Sequence, residues 1–141
     1  MSEPTLPMVV VKRIVDAVRE NPGIRPVLIS TYLPLLVDYV SPHLSDPRVF
    51  ARFKHVMMVY WTQVFGDIPI PELEGVFNYD TFINKLFQHV MDYRERVFAR
   101  LRLDGIYSGA EIERMVRMML GEAVFSAVLD ILKFLGELGG V

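Results

Sequence analysis

The residues best placed to do chemistry are three cations in one stretch, SDPRVFARFKHVMMVYW, residues 45–61. Asp46 followed by Pro47 is a helix start: the carboxylate accepts from free N–H groups and the ring is already set to helical φ. Arg48, Arg52 and His55 then fall at i, i+4 and i+7, on one side of that helix. Both arginines occupy the first two turns, where the macrodipole is positive and cations are disfavoured. No acid lies between Pro47 and Gly66 to offset them. A phosphate or carboxylate held beside the free N–H groups would relieve the dipole and the mutual repulsion together, so the spacing predicts an anion-binding surface. Screening by water and Asp46 would satisfy the same pattern. Lys12, Arg13, Arg19 and Arg25 place further cations in the same half of the chain.

Other chemistry is not legible. Histidines 43, 55 and 89 show no HxxxH or HExxH spacing, and cysteine is absent, so neither a metal centre nor a thiol nucleophile is expected. There is no glycine-rich phosphate loop, no GxSxG and no GxGxxG. Glu72 and Glu74 stand in a proline-rich segment and read as solvated carboxylates. Ser30, Thr31 and Tyr32 read as buried groups satisfying a helix kink at Pro34. The expectation is therefore no enzyme, no cofactor and no small-molecule substrate.

The elements that must position these cations are helices. MVVVKRIVDAVRE (8–20) carries Val11, Ile14, Val15 and Val18 at amphipathic spacing, and NPG (21–23) ends it. IRPVLISTYLPLLVDYV (24–40) is nearly all apolar and reads as a helix buried on most sides. A third helix runs from Pro47 to about Phe65. GDIPIPELEGVFNY (66–79) is a break and the candidate hinge. A fourth helix, capped by Asp80 or Asn78, covers roughly Thr81 to Leu103, with Lys85, His89, Arg96 and Arg100 along one ridge. That ridge reads as a solvated face with an Asp92–Arg96 pair. DGIYSG turns the chain, and Ser108 with Glu111 forms a capping box opening a fifth helix to about Leu135, stopped by Gly136, Gly139 and Gly140.

On the fifth helix Glu122, Ser126, Asp130, Lys133 and Glu137 share one arc of roughly 80°, and much of the rest is apolar. Such a helix is either central in a bundle or covered by another subunit or lipid. Glu113–Arg117 and Lys133–Glu137 read as i,i+4 pairs. The fold expected is all-α, about five helices: an N-terminal helical arm (1–65) as the candidate nucleic-acid-facing part, a Pro/Gly-containing connection (66–79), and a two-helix packing part (80–141).

Composition sets the outer bounds. The 141 residues suit one domain, and the 52% apolar content suggests more buried surface than one small monomer provides. Three Asn, two Gln and no Cys fit life at high temperature, while eight Met argue against it. The net charge of −2 divides into a basic first part, with seven Lys/Arg against five Asp/Glu in residues 1–60, and an acidic remainder. MSEPTLPMVVVKR lacks the basic region and cleavage site of a secretory signal. The longest uncharged runs, Pro26–Val37 and His55–Gly66, are too short to span a bilayer, so no transmembrane protein is expected.

The stretch ENPGIRPVLISTYLPLL (20–36), followed by mostly apolar helical sequence, resembles the α-helical major capsid proteins of filamentous and rod-shaped archaeal viruses. Those proteins have similar length and an NP turn leading into an apolar helix with a proline near its end. The resemblance implies an N-terminal helical arm wrapping double-stranded DNA in A-form. It also implies dimers, of itself or with a related capsid subunit, stacked into a helical filament, sometimes under a lipid envelope, in hosts of hot springs. The location implied is the virion, or otherwise the cytoplasm. Arg48, Arg52, His55, Lys12, Arg13, Arg19 and Arg25 would then contact phosphate by shape rather than sequence. The beginning MSEPTLPMVVV and the acidic net charge depart from that family's pattern. The alternative is a small helical adaptor subunit of a multiprotein complex, without a nucleic-acid role.

Overall fold

The computed structural model describes residues 8–101 and 107–137, and every regular element among them is helical. The α-helices are α1 (Met8–Glu20), α2 (Arg25–Val40), α3 (Pro47–Phe65), α4 (Tyr79–Met91), α5 (Arg94–Leu101) and α6 (Gly109–Glu137). Short 3₁₀ turns, Pro22–Ile24 and Ser41–Ser45, join the first three. The expected end of the fourth helix near Leu103, the first part of the DGIYSG turn, and Gly139 and Gly140 lie outside the described residues.

Local chemistry sets the helix starts. The Asn21 side chain accepts from the Gly23 N–H at 3.2 Å and closes the turn into α2. Asp46 caps α3 through the Arg48 N–H at 2.9 Å, and Asn78, not Asp80, caps α4 through the Thr81 N–H. The Ser108 hydroxyl accepts from the Glu111 N–H while the Glu111 carboxylate accepts from the Ser108 N–H, both at 3.2 Å, the reciprocal box that opens α6. The Ser108 N–H, and then the Ser108 hydroxyl donating to the same carboxylate at 2.9 Å, hold the Glu111 carboxyl below its ordinary pKa.

The fifth predicted helix, α6, is the axis of the bundle. From Leu120 to Leu132 every residue except Glu122, Ser126 and Asp130 is buried. Its apolar circumference from Leu120 onward packs against α2, α3, α4 and α1 of the same chain. Gly121 faces α2, where an added Cβ would be in ordinary contact with Ile29 at 3.4 Å. Residues 8–65 are accordingly not an arm standing apart from the bundle. α2 and α3 are layers of it, because Leu33, Leu36, Phe53, Met57 and Trp61 share one core with Leu120, Val124, Phe125 and Ile131.

Two expectations about single elements change. α2 is buried on one side only: Leu28, Leu33, Leu36, Val37 and Val40 face the core, while Val27, Ser30, Thr31 and Leu35 are exposed. Ser30 and Thr31 are therefore not buried groups at the proline, and the Ser30 hydroxyl donates to the Val27 carbonyl instead. The fourth predicted helix breaks at Asp92–Tyr93 into α4 and α5. Here the Asp92 N–H shares the Gln88 and Val90 carbonyls and the Tyr93 N–H takes Val90, a tightened last turn.

The connection 66–78 is no loose hinge. The buried Trp61 indole N–H donates to the Ile68 carbonyl at 2.7 Å, and the Phe77 N–H donates to the buried Ser41 hydroxyl at 2.6 Å. The ridge on α4 and α5 holds its other side. Lys85 meets Glu74 at 3.8 Å, the His89 ring meets the Pro69 carbonyl, Arg96 pairs with Asp67 at 2.8 Å, and Arg100 donates to the Val64 carbonyl. The ridge is largely exposed to solvent, as expected, but its cations are engaged by neighbouring segments, and Arg96 pairs with Asp67 rather than Asp92. Phe77 stacks on Phe82, ring centroids 4.2 Å apart, and carries the segment into the core beside Phe53.

Candidate functional site

Three of the cations that suggested an anion site, Arg48 and Arg52 on α3 and Arg25 in the first turn of α2, have counter-charges supplied by the chain itself. Arg48 stays beside its own cap: its guanidinium donates to Asp46 at 2.8 and 3.2 Å while the same carboxylate accepts from the Arg48 N–H. The Arg48 side-chain hydrogen bonds are the main cause, with the backbone N–H second, of an Asp46 pKa lowered to about 2. Arg52 reaches across to α6, where Nε donates to Asp130 at 2.7 Å and the guanidinium lies 4.6 Å from the Phe134 ring centroid. Its pKa is raised, chiefly by the Asp130 hydrogen bond. The two arginines that disfavour the start of α3 are therefore offset by carboxylates of this chain, without a bound anion.

Arg25, at the head of α2, follows the same rule one and two turns earlier on α6. It donates to Glu122 at 2.8 Å and to the Ser126 hydroxyl at 2.7 Å, with its guanidinium over Phe125. The polar arc of α6 is thus a track on which Glu122, Ser126 and Asp130 receive arginines from two other helices. His55 is exposed and borders an open cavity of about 440 Å³ with Arg52, Tyr60, Gln63 and Asp130. The structure does not gather Arg48, Arg52 and His55 into one free cluster.

Lys12, Arg13 and Arg19 are exposed on α1. Among the described residues these three, with Arg114 and Lys133, are the Lys and Arg side chains outside every hydrogen bond, ion pair and cation–π contact. Arg114 still acts through its charge on Glu111. Neither Lys133–Glu137 nor Glu113–Arg117 forms an ion pair; Arg117 lies over the Phe87 ring at 3.9 Å and donates to Asn84. Lys133 was not separable in the sequence from an ordinary i,i+4 pair, since its relevance depends on α1 lying opposite.

A second surface is apolar. Pro26, Ile29, Val64, Met118 and Met119, with Glu122 and Ser30 at its edge, line an open groove of about 570 Å³ between α2 and α6. Met118 is 72% exposed there, and Val27 beside Pro26 is 60% exposed. Among the described residues no group of three or more His, Asp or Glu is placed to hold a metal ion, and no helix is long and apolar enough to cross a membrane. Compared with protein families, curated proteins and solved structures, the chain has no match in any of the three.

Proposed function

We propose that this protein is a non-catalytic helical adaptor, one subunit of a multiprotein complex, that works by presenting surfaces to another protein. The observation that carries this reading is the groove between α2 and α6. It leaves Met118 in water, with exposed Val27 next to its lining residue Pro26, while the core behind it is closed. An exposed apolar surface next to a satisfied core is the mark of a docking face, and methionine suits one because its flexible thioether adapts to a partner. The arginines that argued for nucleic acid speak the other way, since Arg25, Arg48 and Arg52 already hold carboxylates.

Light scattering on the purified chain, with and without double-stranded DNA, tests the adaptor reading. A discrete small particle indifferent to DNA is expected, and DNA-dependent long polymers reject it. A photo-crosslinker replacing Met118 in cells should capture a protein, while one replacing exposed Asp92 should not.

The second reading is a self-assembling capsid or nucleoprotein subunit wrapping double-stranded DNA in a filamentous virion, with copies of itself or a related subunit as partners. What favours it is the exposed, unpaired set Lys12, Arg13 and Arg19 on α1. It predicts that replacing these three with alanine reduces the slope of log affinity against log salt by roughly 0.9 per lost phosphate contact. The Arg48/Arg52 double alanine variant should leave that slope unchanged, because both side chains are already neutralised. A slope that responds to Arg48/Arg52 and not to α1 would return the phosphate surface to α3.

A further inference from the structure

Among the described residues most Lys and Arg side chains have a partner within the chain, and three of the five that have none gather at one place. Lys12 and Arg19 on α1 and Lys133 on α6 face one open groove of about 480 Å³. None of the three has a hydrogen-bond, ion-pair or cation–π partner among the described residues. The floor between them is apolar, made by Val11, Val15 and Leu132, with Gly136 also in the lining. Two acids share the walls: Asp16 lies between Lys12 and Arg19, and Glu137 lies one turn beyond Lys133. Arg13 stands just outside on α1.

This pattern discriminates between partners. A nucleic-acid backbone is uniformly anionic and makes no use of an apolar floor, so Asp16 and Glu137 would repel it at the positions where it must pass. A protein segment carries both signs and apolar side chains together. Its carboxylates would meet Lys12, Arg19 and Lys133, its apolar residues would cover Val15 and Leu132, and a single base would meet Asp16 or Glu137. An amphipathic helix laid in a groove supplies these at i, i+4 and i+7 spacing.

We infer that the groove between α1 and the last turns of α6 docks an acidic amphipathic helix of a protein partner, held by Lys12, Arg19 and Lys133. This rests on the adaptor reading, at a surface separate from the α2–α6 groove. The charges set orientation and rate of encounter, and the apolar floor supplies burial.

The probe is a fluorescein-labelled synthetic helical peptide with leucine at i, i+4 and i+7 flanked by glutamate. A lysine-flanked counterpart and a short DNA duplex serve as competitors, with anisotropy as the readout. The glutamate peptide should bind and weaken with added salt. The triple variant Lys12→Gln, Arg19→Gln, Lys133→Gln should weaken it by about tenfold or more, three surface contacts acting together. Asp16→Lys should tighten it. These side chains are exposed, so unchanged helicity is expected and is checked by circular dichroism. Equal binding of the lysine peptide, displacement by the duplex at lower concentration, or indifference to the triple variant overturns the proposal. If the peptide fails while the chain remains a discrete particle that crosslinks a protein from position 118, the groove assignment falls and the adaptor reading stands. If DNA drives polymerisation, the adaptor reading falls and this one with it.

Discussion

Asp46 fills two roles with one carboxylate: it ends the dangling N–H groups of α3 and neutralises an arginine that the helix start would otherwise repel. The consequence is a pH dependence with a defined sign. The folded-state pKa lies at about 2, below the ordinary 3.8, so the contribution is fully present above pH 3.8 and is lost as pH falls through about 2. Carbon-detected titration of the Asp46 carboxyl should give a midpoint near 2. Asp46→Asn should keep the cap and lose the guanidinium contact, so amide exchange at the start of α3 should rise less than in Asp46→Ala. A midpoint at the ordinary value would show that Arg48 points away in solution.

At the level of elements, two glycines do opposite things. Gly66 ends α3 at φ 65°, ψ −124°, a conformation that side-chain-bearing residues rarely adopt, and a Cβ there would also press on the Arg100 guanidinium. Gly66→Ala should cost about 1–3 kcal/mol in chemical denaturation, with a lower midpoint and an unchanged slope. Gly121 lies inside α6 with ordinary helical geometry, and its added methyl would make only normal contact with Ile29 and Leu33. Gly121→Ala should therefore stabilise by about 0.5–1 kcal/mol by lowering the entropy of the unfolded chain. The helices were largely readable because their signals are local: Asp46-Pro47, Asn78, the Ser108–Glu111 box and the apolar spacing of α1 each act within a few residues. The break at Asp92–Tyr93 was not, since neither residue interrupts a helix by propensity and the Tyr93 ring is placed by His89 and Arg96. The arginine site was half readable. Its members and their shared face were visible, but Arg52 finds Asp130 78 residues away and Arg25 finds Glu122 97 residues away. No spacing rule within one helix reports such partners.

At the scale of the molecule, one helix packed against four others takes up much of the 52% apolar content within the chain. Of the large apolar side chains left exposed among the described residues, Met118 lines the α2–α6 groove, while Val9, Leu35, Met58, Val59 and Val76 stand elsewhere. The segment between α3 and α4 is held by Trp61 and Ser41 on one side and by Lys85, His89 and Arg96 on the other. Trp61 is the sole tryptophan and its indole nitrogen is bonded to that segment. The protein consequently contains its own optical gauge of whether the fastening is closed. Excited near 295 nm, about where indole alone absorbs, it should emit at short wavelength in the native state, since the ring is buried and dry. His89→Ala combined with Arg96→Ala should shift that emission to the red at denaturant concentrations where far-ultraviolet ellipticity is still intact. Coincident transitions would mean that the segment opens only when the whole bundle does.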